Sequence, residues 1–265
     1  MEIKGIAHLH STYSYDGQLS LSQIKELCLR EGLQFACMAE HTDDLTIEAI
    51  QEFVRDCENH SDEKFVFIPG FEVPYKDAHI LMIGVIDFFT DIIDVPNLQK
   101  WREKASIVIL AHPSRNNFTI DDNIKKILNG VEVWNSYYDG KSAPRAQSLR
   151  LLQDLQKEKP KTRAFVGLDL HREENFGGPV LSLKVETFSA GTILSTLSRG
   201  EYTFGKQGII ISSAGKIEKG GVLKTQYKSD LRVFILSIAN HINKIITFLG
   251  LSIPKSIKKK LRSKL

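Results

Sequence analysis

The feature that most constrains the fold of this chain is the alternation of short apolar runs with amphipathic stretches of helical period. "IKGIAHLH", "QFACMAEH", "KFVFIPGFEV", "SIVILAHP", "GVEVWN" and "RAFVGLDLH" each read as a strand, and "AHILMIGV" adds a further apolar run. Between them, "SLSQIKELCLREGL", "TIEAIQEFVRDCENH", "IDDNIKKILN" and "APRAQSLRLLQDLQKE" read as helices, with a shorter helical region through Trp101. Ser20 or Ser22 is a candidate cap for the first helix, and Gly32 its stop. Such alternation predicts a largely parallel sheet wrapped by helices. Some six or seven such units make a barrel-like α/β domain. After His171 the pattern loosens: "TILSTLSRGEY" reads as a helix and "GIIISSAGKI" as a strand and turn.

A chain of 265 residues, 42% of them hydrophobic, is long enough to bury a substantial core. Its net charge of +3 is unevenly spread. From Leu231 to the end there are eight Lys or Arg and no acid, which leaves residues 1–230 with a net charge of −5. The whole chain is therefore not read as a nucleic-acid-binding protein on its charge. Cys28, Cys37 and Cys57 show no CxxC spacing and sit in apolar context, so buried, reduced thiols are expected. "MEIKGIAHLH" has no apolar leader segment and no run of 18 apolar residues occurs, so a cytoplasmic protein without a spanning helix is expected.

Six of the eight histidines fall at or just beyond the end of an apolar run: His8, His10, His41, His79, His112 and His171. Asp16, Glu72 and Asp169 sit in matching places. Residues i and i+2 of a strand share a face, so His8 and His10 can hold one ion, or can be two ordinary polar residues. In α/β barrels the strand C-termini converge on one mouth. Taken together, nine such residues there favour metal ligation over nine separate structural roles. Imidazoles with a few carboxylates suit Zn, Mn, Fe or Co rather than Ca or Mg. Nine ligands are enough for two or three ions, and adjacent ions clamp an in-line displacement at phosphorus. The residues thus read as a multinuclear metallohydrolase.

"HLHSTYSYDG", "AEHTDD", "GFEV", "HILMIG", "LAHP" and "GLDLH", in this order, resemble the PHP (polymerase and histidinol phosphatase) superfamily over roughly residues 3–175, and loosely to about 215. The resemblance implies a distorted seven-stranded (β/α) TIM-like barrel with a trinuclear site, over a domain of residues 1–215. By motif position it implies that His8, His10, Glu72 and Asp169 hold one metal. Glu72 bridges to a second, completed by His79 and His112, and Asp16, His41 and His171 hold the third. Relatives carry His or Asp at the Asp16 position. Within the superfamily the chain looks most like stand-alone phosphoesterases acting on nucleotide phosphates or short oligonucleotides. The 32 residues between His79 and His112 leave no room for the long insertion of some members.

The mechanism expected of such a site is attack of a metal-bridging hydroxide on phosphorus, in line with the ester oxygen, with Glu72 and Asp169 indispensable and two or three Mn, Zn or Fe ions as cofactors. Arg115, three residues past His112, is the first candidate for binding phosphate, and Arg172 the second. Asp43 is a candidate for orienting a water or a ligand histidine. Asn135 and Tyr137 are candidates for lining the pocket. The expected substrate is a phosphorylated small molecule or a short oligonucleotide. Alternatives are a non-catalytic metal-binding regulatory module and an exonuclease on short oligonucleotides.

The C-terminal 231–265 segment is expected to be a separate amphipathic, basic helix. At about 100° per residue, Leu231, Phe234, Ile235, Ile238, Ala239, Ile242, Ile245, Ile246 and Leu249 fall on one face. "IPKSIKKKLRSKL" follows, with six cations in thirteen residues. That pattern fits docking of the helix against the barrel, peripheral attachment to an anionic membrane face, or a nucleic-acid-binding tail. No obligate protein partner is indicated.

Overall fold

The computed structural model describes residues 1–43, 45–85 and 98–220, together with Phe234, Ile235, Ile238 and Ile242. In chain order the elements are β1 (Glu2–Leu9), α1 (Leu21–Arg30), β2 (Phe35–Met38), β3 (Glu40–His41), α2 (Ile47–Asn59), β4 (Val66–Ile68), β5 (Gly70–Tyr75) and β6 (Ala78–Ile83). Then come α3 (Leu98–Lys104), β7 (Ile107–Leu110), α4 (Asp122–Ile127), β8 (Gly130–Asn135), α5 (Ser136–Asp139), α6 (Ala146–Glu158) and β9 (Arg163–Gly167). The last are β10 (Val180–Lys184), α7 (Ala190–Arg199), β11 (Tyr202–Lys206), β12 (Ile209–Ser212) and β13 (Ile217–Lys219). The predicted C-terminal helix lies outside the described residues, apart from those four positions, which are helical and exposed.

The expected strand–helix alternation is present, and its local signals act as read. Ser20 caps α1 in a capping box with Gln23, each side chain accepting from the other's backbone N–H. Gly32, at φ 69°, takes the left-handed conformation that ends the helix. Thr46 caps α2 by accepting from the Ala49 N–H.

The sheet is less parallel than expected. Among the described residues there are two sheets rather than one closed barrel, in the orders β13-β12-β11-β10-β1-β2-β4 and β3-β5-β6-β7-β8-β9. β1, β2 and β4 run parallel, as do β3 with β5 and β7, β8 and β9. β6 is antiparallel to both its neighbours, and β10–β13 form an antiparallel meander onto the edge of β1. Only Lys76 and Asp77 separate β5 from β6, too few for a parallel crossover, so the pair is a hairpin. Two runs that read as single strands each divide between the sheets, "FACMAEH" at Ala39 and "FVFIPGFEV" at Pro69, whose nitrogen cannot donate to a ladder.

The sheets adjoin where the site lies. The Ala39 N–H donates to the Leu9 carbonyl (2.8 Å), Leu168 N–H to Ala7 (2.9 Å) and His10 N–H to Leu170 (2.9 Å). Strands are apolar on both faces because each feeds two cores. Ile6, Met38, Ile80, Met82 and Leu110 pack with Leu21 and Ile24 of α1 and Phe53 of α2. Phe35, Cys37, Ile83 and Ile109 pack with Leu149 and Leu152 of α6 and Ile193 of α7. Strands covered on both sides read as continuous apolar runs, not alternating ones. The three cysteines are free and buried as expected, and burial pushes the Cys28 and Cys37 thiols up to about 12.

Candidate metal centre

The six strand-end histidines and the acids Glu72 and Asp169 converge at the junction of the two sheets. His8 is the residue at which the β1–β2 register shifts, and it sits at φ 62°. A bulge of this kind re-aims a side chain next to a site. His10 follows β1, held by its N–H on Leu170. His41 ends β3 directly opposite Glu72 of β5. His79 is the second residue of β6, and His112 follows β7 at φ 24°. Asp169 follows β9 at φ 55°. Left-handed backbone costs a non-glycine residue roughly 1–3 kcal/mol, and three of the candidate ligands, His8, His112 and Asp169, adopt it.

Three groups of side chains place ligand atoms within 4.8 Å of one another: His8, His10, Glu72 and Asp169; Glu72, His79 and His112; and His10, His41 and His171. In the first, Glu72 Oε2 lies 3.3 Å from His8 Nε2 and 3.4 Å from His10 Nε2, and Asp169 Oδ1 lies 3.6 and 3.5 Å from the same atoms. Ligands about 2.1 Å from a tetrahedral ion stand about 3.4 Å apart. Buried His10 Nε2 has no hydrogen-bond partner, nor has Asp16 Oδ1. Unpartnered buried polar atoms at these separations fit a cation between them.

Glu72 faces two groups at once. Its Oε2 serves the first and lies 3.4 Å from His41 Nδ1, while Oε1 is bonded to His79 Nδ1 (2.6 Å) and His112 Nε2 (2.7 Å). In the third group His10 joins His41 and His171. The predicted Asp16 stands at its rim, Oδ2 3.1 Å from His171 Nε2 and Oδ1 3.6 Å from His41 Nε2.

Electrostatics prepare these groups for a cation. Burial holds the His10 imidazole down at about 4, neutral at pH 7 with its lone pair available, and lowers His41 likewise. Burial alone would raise Glu72 and Asp169. The facing His8, raised well above its ordinary value by Glu132, Asp169 and Glu72 against its own burial, outweighs it together with the bonds from His112 and His79 to Glu72, and keeps both carboxyls well below their ordinary range.

The other predicted residues divide. Arg115 lies in the 3-10 turn Pro113–Asn116 with a guanidinium nitrogen against His79 Nε2. It lines a cavity of ≈ 510 Å³ with Lys76, Asp77, His79, Asn116, Asn117 and Thr119. Arg172 is exposed beside His171 and does not line that cavity, and Asp43 lies on the exposed turn after Thr42. Asn135 is buried rather than pocket-lining: its Oδ1 caps α5 and its Nδ2 donates to Glu132 (3.0 Å). Tyr137 is 57% exposed at the rim, 6.3 Å from the His171 ring.

Sequence reasoning passed over a second layer. Glu40, fully buried, accepts from the Ser11 N–H (2.9 Å), Ser11 Oγ (2.7 Å) and Ser14 Oγ (2.5 Å), and Ser14 Oγ lies 3.3 Å from His10 Nδ1. Glu132, also fully buried, binds His8 Nδ1 (2.7 Å) and the His112 backbone N–H (2.7 Å). The available signal was an acid inside an apolar run, in "CMAEH" and "GVEVW".

No protein-family model matches the chain. One curated relative, the DNA polymerase/3'-5' exonuclease PolX of Bacillus subtilis, is 29% identical over 100 residues, 35% of this chain and 16% of that protein. The chain therefore spans about one sixth of this relative. Among solved structures, a two-domain protein from Bacteroides vulgatus containing a predicted PHP-like metal-dependent phosphoesterase matches with a TM-score of 0.59 and 16% identity, over 80% of this chain and 67% of that one. The lesion-specific endonuclease PfuEndoQ of Pyrococcus furiosus matches with a TM-score of 0.51 and 18% identity, over 75% of this chain and 56% of that one. At these identities the likeness is one of fold. The chain shares the fold of these structures, and its histidine and acid motifs stand in the order that the PHP resemblance leads one to expect.

Proposed function

We propose that the chain is a metal-dependent phosphoesterase whose centre is built on His8, His10, Asp16, His41, Glu72, His79, His112, Asp169 and His171. The observation that carries this reading is Glu72, a buried carboxylate with one oxygen in each of two clusters of unprotonated or hydrogen-bonded imidazoles. Buried carboxylates persist only when paired with positive charge. Two or three divalent ions held there, Mn, Zn or Fe, supply Lewis-acid charge on the phosphoryl oxygens and acidify water. The chain's own residues fix the geometry: Glu72 and Asp169 hold the clusters together, and Arg115 offers its guanidinium to a phosphate oxygen from the cavity side. Arg172 and Asp43 stand further out, at the exposed rim. The adjoining sheets are read as a distorted seven-stranded (β/α) barrel with the strand ends of both sheets at its mouth, and the expected domain end at residue 215 falls just short of β13, which pairs with β12.

The substrate is a phosphorylated small molecule or a short oligonucleotide. The similarity to an exonuclease and to an endonuclease supports the second class, and the net negative charge of residues 1–230 supports the first. The test is phosphate or nucleotide release by the chelator-stripped full chain, resupplied with each metal, on phosphomonoesters, cyclic phosphodiesters and short oligonucleotides. Hydrolysis of none of them under any metal sinks the proposal and leaves a non-catalytic metal-binding module.

The tail is read as an anchor to an anionic membrane surface at the cytoplasmic face. Phe234, Ile235, Ile238 and Ile242 are helical and exposed, and the cations follow them. Flotation with anionic liposomes is expected for the full chain and not for one ending at Ser229. Failure of the full chain to float at low salt removes this reading.

A further inference from the structure

One carboxylate outside the ligand set links two of the three clusters, and no ligand count reveals it. Glu132 is 0% exposed in the middle of β8. Its Oε1 accepts from His8 Nδ1 at 2.7 Å. Its Oε2 accepts from the backbone N–H of His112 at 2.7 Å and from Asn135 Nδ2 at 3.0 Å. His8 belongs to the four-residue cluster and His112 to the cluster with Glu72 and His79. Both are among the residues held at positive φ. The β8–β9 register also shifts just past Glu132, and a Cβ at Gly167 of β9 would collide with its carboxylate. The fold thus leaves space for this side chain at the expense of regular pairing.

We propose that Glu132 is a positioning residue that couples these two metal positions: it fixes the tautomer of His8 and the backbone of His112 together. In the neutral imidazole that binds an ion, a proton held on Nδ1 by Glu132 leaves Nε2, the atom facing Glu72 and Asp169, free to ligate. The bond to the His112 N–H holds that residue in its left-handed conformation, with Nε2 aimed at Glu72. The inference rests on the metallo-phosphoesterase reading above.

A glutamine at position 132 has the same shape but one acceptor oxygen and one donor amide, against three donors. With its oxygen on His112 and Asn135, its amide faces His8 Nδ1. His8 then carries its proton on Nε2, where the ion is to bind. With the amide the other way, it faces two donors.

The experiment compares the full-length protein with Glu132→Gln by calorimetric titration of the chelator-stripped chains with Mn²⁺ alone, and by the absorption spectra of their Co²⁺ forms. The expected result is a 10–100-fold loss of affinity at two positions, with a changed Co²⁺ spectrum. The stripped Glu132→Gln chain keeps a cooperative melt. A His8→Ala chain is expected to lose one position, and adding Glu132→Gln to it to weaken a second. Unchanged affinities in Glu132→Gln, or a loss confined to the position His8 serves, overturn the proposal while leaving the metal-dependent reading intact. No Mn²⁺ binding by the wild-type chain overturns both. Should Glu132→Gln fail to fold, ¹⁵N NMR of the metal-loaded wild-type imidazoles, with His8 assigned by His8→Gln, decides. A proton on Nδ1 of His8 supports the proposal, and a proton on Nε2 ends it.

Discussion

Glu72 is the residue on which the proposed chemistry converges, since both its oxygens are engaged and it is 1% exposed. Replacing it with glutamine keeps the volume and removes the charge shared by two clusters. Losing a contribution of several kcal/mol to transition-state charge stabilisation corresponds to roughly a 10³-fold fall in kcat. The check is steady-state turnover at saturating metal, with circular dichroism showing the fold retained. Arg115→Ala is expected to lower kcat/KM by roughly 10–100-fold, the size of one lost charge-assisted hydrogen bond. Arg172→Ala, at an exposed position outside the cavity, is expected to cost less in the same assay. The clustering of these side chains was legible because six imidazoles, each at the end of an apolar run, converge in any fold that gathers its strand ends at one mouth. Glu40 and Glu132 were not, because an acid in a strand shows its purpose only through its partner. Those partners lie far off in sequence, 124 residues away for Glu132 (His8) and 29 and 26 residues away for Glu40 (Ser11 and Ser14), with α1 and β2 between.

At the scale of elements, the helices and most strands followed from period and caps, whereas strand direction did not. The hairpin of β5 and β6 is set by a two-residue connection, and the division of two apolar runs between sheets by Ala39 and Pro69. These depend on what each backbone N–H finds across the sheet, which periodicity does not encode. The turn between α2 and β4 carries its own prediction. Asp62 accepts from the Lys64 and Phe65 N–H groups and from Lys25 Nζ (2.7 Å), and these bonds hold its carboxyl at about 2. A depressed acid stabilises the fold above its unfolded value of about 3.9 and loses that contribution as pH falls toward the folded value. Asp62→Asn is therefore expected to be less stable than wild type at pH 7 in urea, with the gap closing between about pH 4 and pH 2. A gap that does not change with pH would show that the carboxylate charge plays no part.

At the scale of the molecule, the two sheets meet at the cluster, so ions held there as proposed would join β1, β5, β7 and the end of β9 across the junction. Binding the folded state alone at a hundred times Kd adds about 2.7 kcal/mol. For a chain of this size that raises Tm by roughly 5–10 °C. Chelation is expected to reverse the rise in a thermal melt, and a Glu72→Gln chain to show little of it. The most direct test of the account is phosphoester turnover by the full chain, stripped with chelator and titrated with Mn²⁺. The account predicts no turnover when stripped, recovery that saturates at two or three ions per chain, and no recovery in Glu72→Gln. Turnover that survives stripping, or that Glu72→Gln retains in full, would contradict it.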